Sequence, residues 1–171
     1  MNLTIALLLS TIMSPQLGGQ GGGVTIPKYK DHGINRNCFV QAPIQTPIPT
    51  CEDSIDADCL QACYTRFYHE VALAAQDAND KCQTALAAYD REITDANSRY
   101  VQCINSLSTT NPFGDTRRTC ALAHESAYMI AKVNYNNSKN NINQHYNNRI
   151  QSLQETFAIE SAACCVVGDK Q

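Results

Sequence analysis

Nine cysteines and two His-Glu dipeptides are the residues of this 171-residue chain whose types and spacing could do chemistry. Cys59-x-x-x-Cys63 and the adjacent Cys164-Cys165 together offer four sulfurs. As thiolates they would suit zinc or copper, and as oxidised pairs they would staple the chain. On a helix the i, i+4 spacing puts Cys59 and Cys63 on one face, as either use requires. Structural zinc sites ordinarily use tighter C-x-x-C knuckles, and no C-x-x-C occurs here, which also removes a thioredoxin-like redox motif and covalent haem attachment. The cysteines therefore read as structural before chemical, with no cofactor expected.

His69-Glu70 and His124-Glu125 pair a base with an acid, but nothing around them completes a catalytic set. There is no H-E-x-x-H, no glycine-rich phosphate loop and no nucleophile elbow. His32 lies in the linker and His145 in the asparagine-rich stretch, where no carboxylate is close to it in sequence. The histidines are expected to be solvated helix or linker residues, and no enzyme is expected.

The compartment follows from the N-terminus. Leu3 to Met13 is an apolar run too short for the roughly 20 residues of a membrane span and of the length of a signal-peptide core. Gly19 and Gly21 supply a small-x-small cleavage pattern, although no Lys or Arg precedes Lys28. Residues 1–21 are expected to be a cleaved export signal, leaving no membrane span and placing the cysteines where disulfides persist. The 13 Lys plus Arg are outnumbered by 16 Asp plus Glu, with no basic block, so a nucleic-acid partner is not expected.

Residues 22–50 form an extended Gly/Pro-rich linker, because Pro27, Gly33, Pro43, Pro47 and Pro49 interrupt every helical turn. A strap lying on the folded part, or a spacer, is the favoured reading. From Cys51 to Val167 the only Pro and Gly are Pro112 and Gly114, so one turn divides the rest of the chain. The expected architecture is all-α: a long antiparallel, disulfide-stapled helical hairpin with helices over about 51–108 and 116–167 and a turn at 109–115. Thr50-Cys51-Glu52-Asp53 fits a capping box, Asn111 or Asp115 can cap the second helix, and Gly168 can end it.

Apolar spacing carries this further. In the first helix a seam runs Leu60, Tyr64, Phe67, Val71, Ala74, Ala78, Cys82, Ala85, Tyr89, Ile93, Ala96, Tyr100, Cys103, Leu107, about 3.6 residues per step. In the second it runs Cys120, Ala123, Ala127, Ala131, Tyr135, Ser138, Ile142, Tyr146, Ile150, Leu153, Phe157, Ser161, Cys164, with nearly the same step. Both periods suit straight helices paired side by side. One weakness stands out: 134–148 holds eight asparagines, which at about 0.6 kcal/mol each against alanine lower helix stability by roughly 5 kcal/mol and could bend the second helix. The same stretch contains Asn136-Asn137-Ser138, a weak glycosylation match produced easily by such composition.

A turn centred near 111.5 makes partner positions sum to about 223. Cys103 with Cys120 and Cys59 with Cys164 both meet that sum, and Cys63 with Cys165 falls one turn away. A staple is expected at the turn end, with one or two more at the open end. Two pairings fit Cys38 and Cys51, either with each other or Cys51 with Cys165 and Cys38 elsewhere; spacing does not choose. Cys82 is then left over, buried in the seam or joined to another chain. The same register puts His69 and His124 about 30 residues, or roughly 45 Å, apart along the rod, too far for one site.

These features imply a secreted or periplasmic structural or interaction module, a spacer or assembly subunit without catalysis. Leu122, Met129 and Val133 form an apolar stripe off the seam, so a homo-oligomer or another protein partner is expected unless the linker covers them. The alternative is a small-ligand or metal-binding protein using the seam or the Cys59/Cys63/Cys164/Cys165 cluster.

Overall fold

The computed structural model describes residues 23–29, 33–39, 44–49, 51, 54–107 and 114–166. The expected export signal at 1–21, His32, Pro43, the turn residues 108–113 and Gly168 lie outside them. Two long helices, α1 (Ala57–Leu107) and α2 (Gly114–Ala162), pack against each other along their whole length. At 1.5 Å per residue each is about 75 Å long. A two-residue strand precedes α1 (β1, Ser54–Ile55) and another follows α2 (β2, Cys165–Val166), and the two pair antiparallel with Ser54 opposite Val166 and Ile55 opposite Cys165.

That strand pair moves both outer helix ends inward from the expected 51 and 167. The Asp56 N–H donates to the Cys164 carbonyl at 2.9 Å, so the backbone there belongs to the strand clamp and not to a helix. Asp56 then caps α1: its Oδ1 accepts from the Asp58 and Cys59 N–H groups, both at 3.0 Å, while its carbonyl accepts from Leu60. Thr50, Glu52 and Asp53 of the expected capping box lie outside the described residues. A strand of two residues has no periodicity, which is why the sequence pattern runs straight through it.

The seam forms as its spacing predicts. Every predicted seam residue of α1 is buried or half-buried. In α2 only Ala123 departs, being exposed, and its neighbour His124 is buried in its place. Alanines 78, 96 and 131 are almost fully buried and let the helix backbones approach closely, while Tyr89 against Tyr135 and Phe67 against Phe157 fill the wider points between them. Helix α2 runs unbroken through the asparagine-rich stretch. Burial of Tyr135, Ile142 and Tyr146 there offsets the weak propensity, and most of the asparagines sit on the exposed face.

Two helices leave one long groove uncovered on each side of their seam, and the N-terminal segment fills one of them. Val24 packs on the turn-end cluster of Tyr100, Ile104 and Cys120; Ile34 and Phe39 pack at mid-rod; Ile44 packs toward the open end. The segment thus runs parallel to α2 as a strap. Its backbone polar groups find partners on the helices: Tyr135 donates to the Asn35 carbonyl at 2.7 Å, Asn143 to that of Cys38 at 3.3 Å and Gln154 to that of Gln45 at 2.8 Å. Arg36 makes a two-pronged pair with Asp90 at 2.8 and 3.2 Å. An extended strand with such anchors gives the hairpin the third side that two helices lack.

Candidate functional site

Three parts of this architecture bring together residues that could do more than support the fold: the sulfurs at the open end, a buried histidine near the turn end, and an apolar stripe on α2. The sulfurs come first because four cysteine pairs are formed. Cys103 with Cys120 has a Cα separation of 5.9 Å, Cys59 with Cys164 5.6 Å, Cys51 with Cys165 5.5 Å and Cys38 with Cys82 5.9 Å. All lie within the span a disulfide bridges.

One open choice closes here and one expectation changes. Cys51 pairs with Cys165, which leaves Cys38 elsewhere, and Cys82 is not the odd cysteine; Cys38 and Cys82 pair with each other where the strap crosses the middle of the rod. Cys38 is 1% exposed, sealed between the strap and the seam. The sequence could not choose this pairing, because an extended segment has no period that says where it meets a helix. The free thiol is Cys63, buried one helical turn after Cys59. Its sulfur lies 3.8 Å from that of Cys164, which is already bonded to Cys59.

Cys59, Cys63 and Cys164 therefore hold three sulfurs within 4.8 Å of one another. Cys165, counted in the expected four-sulfur cluster, is withdrawn from it by Cys51. With Cys59 and Cys164 joined, the arrangement presents one thiol against one disulfide.

His124, expected to be solvated, is 3% exposed. Its Nε2 lies 2.9 Å from Asn97 Oδ1 and its Nδ1 3.1 Å from the Tyr29 hydroxyl of the strap. The rings of Tyr29, Tyr100 and Tyr128 surround it at centroid distances of 4.9 to 5.6 Å. With Nε2 donating to Asn97, a neutral ring leaves Nδ1 as an acceptor, and the single Tyr29 hydroxyl proton is shared between it and the Ala121 carbonyl at 3.2 Å. Burial pushes its pKa below the usual value of about 6.5. A histidine whose folded pKa is lowered binds its proton more readily in the unfolded chain, so its stabilising contribution is present above the unfolded value and lost as pH falls. Stability should accordingly decline from pH 7 to pH 5, and His124→Gln should flatten that decline in parallel urea titrations. Equal slopes in the two proteins would refute the assignment.

The other histidines form no site with it. His69 is exposed on α1, and its neighbour Glu70 pairs with Arg149 at 2.8 Å. His145 borders an open groove of about 430 Å³ that also carries Glu70, Asp77, Lys81 and Arg149, a mixed-charge flank. The seam itself is packed with alanine and aromatic side chains, as its composition predicts.

The third part is the stripe. Leu122, Met129, Ile130 and Val133 are 45–58% exposed, on the side of α2 turned away from the buried His124, Ala131 and Tyr135. The strap occupies a different side and leaves them uncovered. Among the described residues no helix is long and apolar enough to cross a membrane.

These features define a disulfide-stapled α-helical hairpin with an N-terminal strap. No family model, curated protein or solved structure matches the chain, so its own residues are the whole basis for a functional reading.

Proposed function

We propose that this chain is an exported structural or interaction module, a spacer or assembly subunit without catalysis, whose copies associate through the outer face of α2. The observation that carries this reading is the uncovered stripe of Leu122, Met129, Ile130 and Val133. The four cysteine pairs support an oxidising compartment, and the apolar start of the chain supports export.

Charge argues that the occupant is a second copy in antiparallel orientation. Glu125 and Lys132 are seven residues apart and therefore lie on the same flank of the stripe. In an antiparallel pair of α2 helices centred near residue 128, each Glu125 faces the other copy's Lys132, and Leu122 faces Val133 across the dyad. A two-fold contact of this kind is self-complementary and closed, as most soluble homo-oligomers are. The proposal is tested by light scattering across a concentration series. A mass twice that of the chain, reduced to one copy by Val133→Glu with helicity retained, is expected. A monomer at every concentration would overturn it.

A further inference from the structure

The open end contains a thiol placed against a disulfide, and its neighbours make the two pairings of Cys164 comparable. Cys59 and Cys63 stand one turn apart on α1, so both side chains reach the same point on the facing end of α2. Cys59 holds Cys164, and the Cys63 sulfur lies 3.8 Å from the Cys164 sulfur, within reach of a weak S–H···S hydrogen bond. We propose that this is an intrachain thiol–disulfide exchange site, in which Cys164 passes between Cys59 and Cys63 and the free thiol moves from a buried position to a more accessible one.

The step balances without an outside oxidant. The Cys63 thiol loses its proton to solvent and attacks Cys164 Sγ; the Cys63–Cys164 bond forms as the Cys59–Cys164 bond breaks, and Cys59 leaves as a thiolate that takes up a proton. The number of disulfides is unchanged. What changes is location: Cys63 is 7% exposed, whereas Cys59 is half-buried in the first turn of α1. The helix N-terminus favours a thiolate there, although Asp56 and Asp58 beside it oppose this. The neighbouring Cys51–Cys165 pair and the β1–β2 clamp hold the two chain ends together while Cys164 changes partner. The result is a thiol that is shielded in one pairing and open to thiol or disulfide reagents in the other.

Two measurements test this. The intact oxidised protein is treated with N-ethylmaleimide at pH 6 and pH 8.5, then cut with chymotrypsin, which cleaves after Leu60 and so separates the two positions. Label on Cys59 is expected at both pH values; label confined to Cys63, or absent, would overturn the proposal. Free thiols are also counted in unfolded Cys59→Ser protein. None is expected, because Cys63 takes over Cys164, whereas two free thiols would show that Cys63 cannot make that bond.

Discussion

Replacing Cys38 and Cys82 together with alanine should lower the unfolding free energy by about 4 kcal/mol and free the strap for proteolysis. The four cysteine pairs do not contribute equally, and topology decides which matters most. Cys51–Cys165 and Cys59–Cys164 close loops of 114 and 105 residues, but they lie side by side, so either one alone already holds the open end. Removing one leaves the unfolded chain nearly as constrained as before. Cys38–Cys82 spans 44 residues and has no such duplicate, since the other pairs hold the strap only at its Cys51 end. In the chain-entropy picture a loop of that size is worth about 4 kcal/mol. The hydrogen bonds from Tyr135 and Asn143 to the strap backbone would then depend on a segment tethered at one end only. Urea unfolding without reductant gives the stability change, and trypsin reports the strap, which carries Lys28 and Arg36 as cleavage points. Cleavage after Arg36 should accelerate at least tenfold, on the order of the opening that such a loss permits. A stability change under 1 kcal/mol with unaltered cleavage would show that the strap is held by its surface contacts alone.

The strap is also where the sequence was least legible. The hairpin could be read because two independent signals met: one Pro-Gly break, and seams that keep a step near 3.6 residues across nearly fifty residues in each helix. Cysteine numbers then acted as a ruler, since Cys103 with Cys120 and Cys59 with Cys164 share a sum. Periodicity of this kind is a property of regular elements, and an extended segment does not have it. Nothing in Ile34 to Phe39 states that it will lie over Cys82 and Tyr135, so the odd cysteine was assigned by elimination among helix positions. The same blindness explains His124. A step of three or four is equally helical at that point, and the choice between Ala123 and His124 rests on whether a polar ring can find partners. Asn97 and a strap tyrosine supply them, and only the latter is invisible to a helix pattern. The strand clamp escaped because the capping-box pattern at Thr50-Cys51-Glu52-Asp53 suggests a helix from about 51, whereas α1 begins at Ala57, capped by Asp56.

Packing at the open end gives the largest single-residue effect. Phe157 is 2% exposed, and its ring meets those of Tyr64 at 4.9 Å and Phe67 at 5.3 Å. Truncation of such a ring costs about 3–5 kcal/mol, and the value within that range depends on how far the surroundings collapse into the space. Collapse is hindered here. Cys59–Cys164 fixes the separation of the two backbones one and a half to two turns away, and β1–β2 fixes the ends beyond it. Phe157→Ala is therefore expected in the upper half of the range, measured as a lowered urea midpoint by circular dichroism. Ile159→Ala, two residues on but 75% exposed, should change stability by no more than about 0.5 kcal/mol. The disulfide's part in the cost is separable: repeating Phe157→Ala in a Cys59→Ser, Cys63→Ser background frees α2 to shift toward α1, and the penalty should shrink. An undiminished penalty there would mean that helix packing, and not the staple, sets the spacing of the seam.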